Sequence, residues 1–351
     1  MAQINKSSDY FNTVTWTGDD TTSRAISGVG FQPDLTWIKG RSLSVSHLLQ
    51  DAVRGTGGSY TLKSDATAGD GTNTQGNVSA FSADGFTVAE GSDVDHTRAV
   101  NNGSETYVSW NWLGANGTAS NTDGSITSTV SANTTNGFSI VSYTGNNTAG
   151  ATVGHGLSQE PDVMIFKNRS DGTTSWCVYH SAKGTSGTGR LNTTDSFGDT
   201  TFITTTPSSS VFTLTNATIV NGSGNNMIAY CFAEKKGFSK FGSYTGNGNA
   251  DGTFIYTGFK PAWVMLKRTD ASGERWNIKD NKRNGFNQTD PVLTAEADFA
   301  ERDDAQLDLL SSGFKIRTSA VSTNASGGTY IYMAFAENPL VGTNNIPATA
   351  R

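Results

Sequence analysis

Three times along the chain a ring is followed four residues later by a carboxylate or imidazole, and three residues beyond that by a cation. The sets are His47, Asp51 and Arg54; Trp176, His180 and Lys183; and Trp276, Asp280 and Arg283. A flat ring beside a carboxylate and a cation has what a saccharide site needs, because sugar C–H faces stack on rings while hydroxyls bond to charged groups. Trp176, Trp276, Asp51, Arg54, Asp280 and Arg283 are therefore the candidate ligand-binding residues. The competing reading is structural and stands ahead of it. An element kept in every copy of a repeat holds the fold, with the tryptophans in the core and the Asp-Arg pairs as ties within each copy.

Little else is arranged for chemistry. There is no Gly-x-Ser-x-Gly elbow, His-Glu-x-x-His, Cys-x-x-Cys or Gly-x-x-x-x-Gly-Lys, and the four histidines do not recur together at ligand spacing. No catalytic, cofactor-binding or metal-binding residue is assigned, and the chain reads as a non-enzyme. Asp93-Val94-Asp95-His96 comes nearest to a cation site, since carboxylates two apart on an extended loop can both reach a hard cation. It has no counterpart in the other repeats and reads as a solvated loop. Asp19-Asp20 and Asp303-Asp304 fit glycoside hydrolysis poorly, because adjacent carboxylates on a strand point to opposite faces.

The rings and charges recur because the whole chain does, at a spacing of roughly 100 to 120 residues, too long for a solenoid module and right for a small domain. Thr17-Gly18, Thr144-Gly145 and Thr245-Gly246 each close an aromatic-led strand. Pro33, Pro161 and Pro261 follow, and six residues after each stands a lysine, Lys39, Lys167 or Lys267, ending a mostly apolar run. Later strands open at Gly85-Phe86, Val211-Phe212 and Gly313-Phe314, and the repeats close on Tyr107–Trp112, Met227–Phe232 and Tyr330–Phe335. The divisions are residues 1–115, 116–236 and 237–339, each long enough for a core of its own, with 340–351 as a C-terminal arm. Ala295 to Leu307 departs from this pattern, with helix-forming composition that predicts a short helix in a loop.

Glycine supplies 40 of 351 residues and charged residues only 16%, against typical values of about 7% and 25%. With Ser, Thr and Asn crowding the connections, this is the profile of many short strands joined by turns, and the fold class is all-β. A net charge of -6 without any lysine or arginine run argues against nucleic acid. No apolar stretch is long enough to span a bilayer, and the amino end lacks a signal-peptide core, so the expectation is a product neither inserted in membranes nor exported by that route. The Asn-x-Ser/Thr triplets, Asn77 and Asn133 among them, then follow from composition alone. Cys177 and Cys231 are expected as free buried thiols.

The sequence Gly258-Phe259-Lys260-Pro261, Trp276, Asp280, Arg283, Phe335-Ala336-Glu337-Asn338-Pro339, with the closing Ile346-Pro347-Ala348-Thr349-Ala350-Arg351, resembles a repeat of tail-fibre-like and other surface proteins of tailed bacteriophages, marine and cyanobacterial ones especially. Repeat one departs from it by His47 and repeat two by His180 and Lys183. The resemblance implies three tandem antiparallel β-sandwich domains of jelly-roll or concanavalin type on a virion surface, with no catalytic residues to carry over. It implies a tail-fibre or receptor-binding protein touching host surface glycans, made in the host cytoplasm and partnered by other virion proteins of the tail or capsid. A homo-oligomer, foremost a trimer, is expected. The alternatives are a capsid decoration or head-fibre protein and, last, a polysaccharide depolymerase.

Overall fold

The computed structural model describes residues 2–93, 98–198 and 202–341. Val94, Asp95 and His96 of the acidic loop, and 342–351 of the arm, lie outside the described residues. Nearly every element is a strand, and all strand pairs between named strands are antiparallel.

Each repeat builds the same four neighbouring strands in the same order. An opening strand (Phe11–Thr17, Phe138–Thr144 or Ser239–Thr245) pairs with the closing strand (Thr106–Trp112, Asn226–Phe232 or Thr329–Pro339). Next comes the lysine strand (Leu35–Gly40, Val163–Asn168 or Phe259–Arg268), then a short one (Leu48–Asp51, Cys177–His180 or Trp276–Asp280). Pro33 and Pro161 precede their strands, and Pro261 sits at a break of register inside its own, where a missing N–H is tolerated.

These strands are apolar on both faces because both faces are covered. On the lysine strands, Ile38, the Met164 and Phe166 pair, and the Val264 and Leu266 pair turn outward into cores private to their repeats, beneath a separate small sheet in repeat one (Ser23–Ser27, Asn77–Ser82 and Gly85–Ala89) and repeat two (Thr152–Gly154 and Val211–Thr213), and beneath the far strands of the same sheet in repeat three. Their alternates, Leu35 and Trp37, Val163 and Ile165, Trp263 and Met265, turn inward to one cluster that all three repeats share. At its centre Trp112, Phe232 and Phe335, the equivalent residues of the closing strands, meet pairwise edge to face, with centroids 6.1, 5.6 and 5.8 Å apart. The three inner sheets thus surround a pseudo-threefold axis.

The predicted helix over Ala295 to Leu307 is absent. A turn and irregular backbone lead into the strand Arg302–Leu310. Helix propensity is a weak prior, and here burial outweighs it: Leu307 and Leu309, two apart, enter the private core of repeat three, while Ala295 enters the shared one. Cys177 and Cys231 are free and buried, separated by the intervening strand Val163–Asn168.

Candidate functional site

The rings of all three elements, the Asp-Arg pairs of repeats one and three, and His180 of repeat two lie at the seams between repeats. Trp176 and Trp276 are 0% and 2% exposed, and Asp51, Arg54, Asp280 and Arg283 are buried with them, so none of the six offers a stacking face to solvent. Each element works in two seams, its ring in one and Asp51, His180 or Asp280 in the other.

The ring donates across. Trp176 Nε1 reaches Lys63 O at 2.9 Å in repeat one, Trp276 Nε1 reaches Arg190 O at 2.9 Å in repeat two, and His47 Nε2 meets Thr294 O at 2.9 Å in repeat three. The lysines follow the same cycle. Lys167 Nζ donates to Thr67 O at 2.8 Å, Lys267 Nζ to Thr194 O at 3.2 Å and Lys39 Nζ to Asp298 O at 3.1 Å. Burial holds each ammonium down to about 8, because removal from water penalises the charged form. The head-to-tail order of one to three, two to one and three to two closes a ring.

The carboxylates receive the cycle from the other side. Asp280 accepts Trp110 Nε1 of repeat one at 3.0 Å, and Asp51 accepts the hydroxyl of Tyr230 of repeat two at 2.8 Å. Each also binds its own arginine, Arg283 Nε at 2.6 Å and Arg54 Nε at 2.5 Å, with no side-chain exposure in either pair. Burial pushes the Asp280 carboxyl up, but the Arg283 guanidinium and the bonds it accepts outweigh this and hold it below the usual range. A second carboxylate bridges two arginines at each of these seams: Glu301 joins Arg41 to Arg283, and Asp70 joins Arg169 to Arg54.

The third seam has lost this charge set as a unit. Phe197, whose backbone N–H bonds Thr269 O as Glu301 bonds Arg41 O and Asp70 bonds Arg169 O, stands where the bridging acid would be. Met333 replaces the donor ring of Trp110 and Tyr230, and His180 replaces the aspartate. With no side-chain donor to receive, His180 turns its Nε2 to Tyr332 O at 3.1 Å, while Nδ1 accepts the Ala182 N–H at 3.2 Å.

Both His180 nitrogens are satisfied only in the neutral form, and burial pushes its pKa down to about 4. A base depressed from about 6.5 in the unfolded chain contributes stability that is present above that value and lost as pH falls toward 4. We therefore expect His180 to account for about 3 kcal/mol of lost stability between these values, with buried His47 acting in the same direction. Urea midpoints at pH 7 and 4.5 check this. His180→Gln should flatten the difference, and an unchanged pH slope refutes the assignment.

Two triplicated features carry bonds that the spacing alone did not single out. Asn101, Asn221 and Asn324 each stand five residues before a closing strand, buried, and bind the turn that follows the Thr-Gly pair. The aromatic residues of the opening strands, Trp16, Tyr143 and Tyr244, donate to the carbonyls one residue earlier, Val100, Val220 and Thr323, at 3.0, 2.6 and 2.7 Å. Gly18, Gly145 and Gly246 recur because a Cβ there would strike the backbone of Asn102, Gly222 and Ala325, in each case within 2.3 Å. A three-way alignment of the repeats exposes all of these positions.

No curated protein and no solved structure matches the chain. The family model described as a domain of unknown function (DUF7483) matches residues 6–339, across all three repeats, and the chain belongs to that family.

Proposed function

We propose that this chain is a non-enzymatic structural protein of a bacteriophage particle, of tail-fibre or receptor-binding type, that contacts host surface glycans and other virion proteins. The observation that carries the proposal is where its chemistry-bearing residues are spent. The recurring rings, carboxylates and cations are interior ties between repeats, which makes a stiff cross-bonded body. Contact with partners then falls to the outer strands and the Ser-, Thr- and Asn-rich loops, the ordinary place for recognition on a rigid β scaffold. Antibody against the purified chain, applied to whole particles in the electron microscope, tests this. Label on tail fibres is expected. Label spread over the head moves the protein to capsid decoration, and particles lacking the chain overturn the proposal.

A further inference from the structure

One edge strand departs from the threefold pattern. Phe254–Tyr256, Ser23–Ser27 and Thr152–Gly154 hold equivalent places, since Ile255, Ile26 and Val153 are buried opposite Phe314, Phe86 and Phe212. The residues flanking that buried position are Ala25 and Ser27 in repeat one and Thr152 and Gly154 in repeat two. In repeat three they are Phe254 and Tyr256, 43% and 60% exposed, side by side on one face of the strand. Two rings left in water, where the sister repeats place small residues, do nothing for the core.

Tyr256 walls a groove of about 330 Å³ at the junction of repeats two and three, with Glu234, Lys236, Ser239, Lys240 and Gly258. The hollow continues past the ring into a second one of about 160 Å³ that reaches Ala2 and Val341. Glu234 and Lys240 pair at 2.7 Å with side chains 31% and 37% exposed, an ion pair that contributes little to stability but sets an acceptor and a donor beside the ring. Among the described residues nothing hydrogen-bonds the Tyr256 hydroxyl. Gly258, beside the ring edge, stands at φ +82, a conformation that glycine adopts without strain.

From this groove we infer a saccharide-binding site, in which a pyranose lays its C–H face on Tyr256 and its hydroxyls bond Glu234 and Lys240, while Phe254 extends the platform to the next sugar. The exposed Lys236 makes the site tolerant of acidic sugars. The inference rests on the glycan-contacting reading and gives it a place on the chain.

Saturation-transfer NMR of the full chain against oligosaccharide fragments of bacterial O-antigen and capsule tests it. The chain is expected to bind at least one fragment, and Tyr256→Ser, which installs the residue of repeat one, should weaken that binding about tenfold or more. Because the ring is exposed, its thermal midpoint should not move. Glu234→Gln should weaken binding severalfold. Binding that survives Tyr256→Ser undiminished overturns the groove and leaves the glycan reading standing. No binding to any fragment overturns both. Binding lost in Tyr256→Ser, by a chain that particles lack, keeps the groove and sinks the virion reading.

Discussion

Asp280→Ala is expected to lower the stability of the whole chain by about 3 to 5 kcal/mol, read as a fall in the urea midpoint at unchanged slope. The carboxylate accepts Arg283 Nε, Trp110 Nε1 and the backbone N–H groups of Lys282 and Arg283, the latter two at 3.0 Å. Its removal takes from the buried Arg283 guanidinium its own carboxylate, leaving Glu301, shared with Arg41, as the remaining one, and deprives the Trp110 indole N–H and two backbone N–H groups of their acceptor. A buried charge weakened in this way and buried donors left unpaired cost more than the pair contributes. The pairing therefore predicts rescue. Asp280→Ala combined with Arg283→Met should recover a substantial part of the loss, with Glu301 still held by Arg41. A loss below about 1 kcal/mol, or a double variant worse than the sum of its parts, would contradict the account. At the neutral seam the comparable change, His180→Ala, removes no ion pair and should cost less.

Phe335→Ala should cost a similar amount, about 3 to 5 kcal/mol, but by a different route. The ring contacts Trp112 and Phe232 of the other repeats at the axis, and also Phe11, Trp263 and Phe241. Truncation opens a cavity that no single repeat can close by itself. Unfolding should stay a single transition, shifted as a whole, when followed by near-ultraviolet circular dichroism and by tryptophan fluorescence. A second transition that separates repeat three from the rest would show that the shared cluster does not couple the repeats.

Much of this was legible in the residues. The apolar runs ending at Lys39, Lys167 and Lys267 mark strands covered on both faces, and Tyr330–Phe335, buried throughout, lies between two neighbours in its sheet. The Asp-Arg spacing identifies a tie, since Asp51 and Arg54 do bind each other. What spacing within one copy could not show is the third partner, Tyr230, which comes from another repeat. That relation is visible only as coordinated change: Met333 lacks a donor, and in the seam it faces His180 has replaced the aspartate. The helix expected over Ala295 to Leu307 failed for a related reason. Its Leu307 and Glu301 answer to partners distant in sequence, the private core and Arg41, and local composition is blind to both.

Because the ring closes within one polypeptide, its seams form between tethered partners. The closing strand of repeat two and the opening strand of repeat three are joined by only Ala233 to Phe238, so the seam between them meets its complement at an effective concentration on the order of millimolar. Dilution therefore does not dissociate it. A body assembled from separate copies would not share this property, and this one keeps its shape however dilute it is.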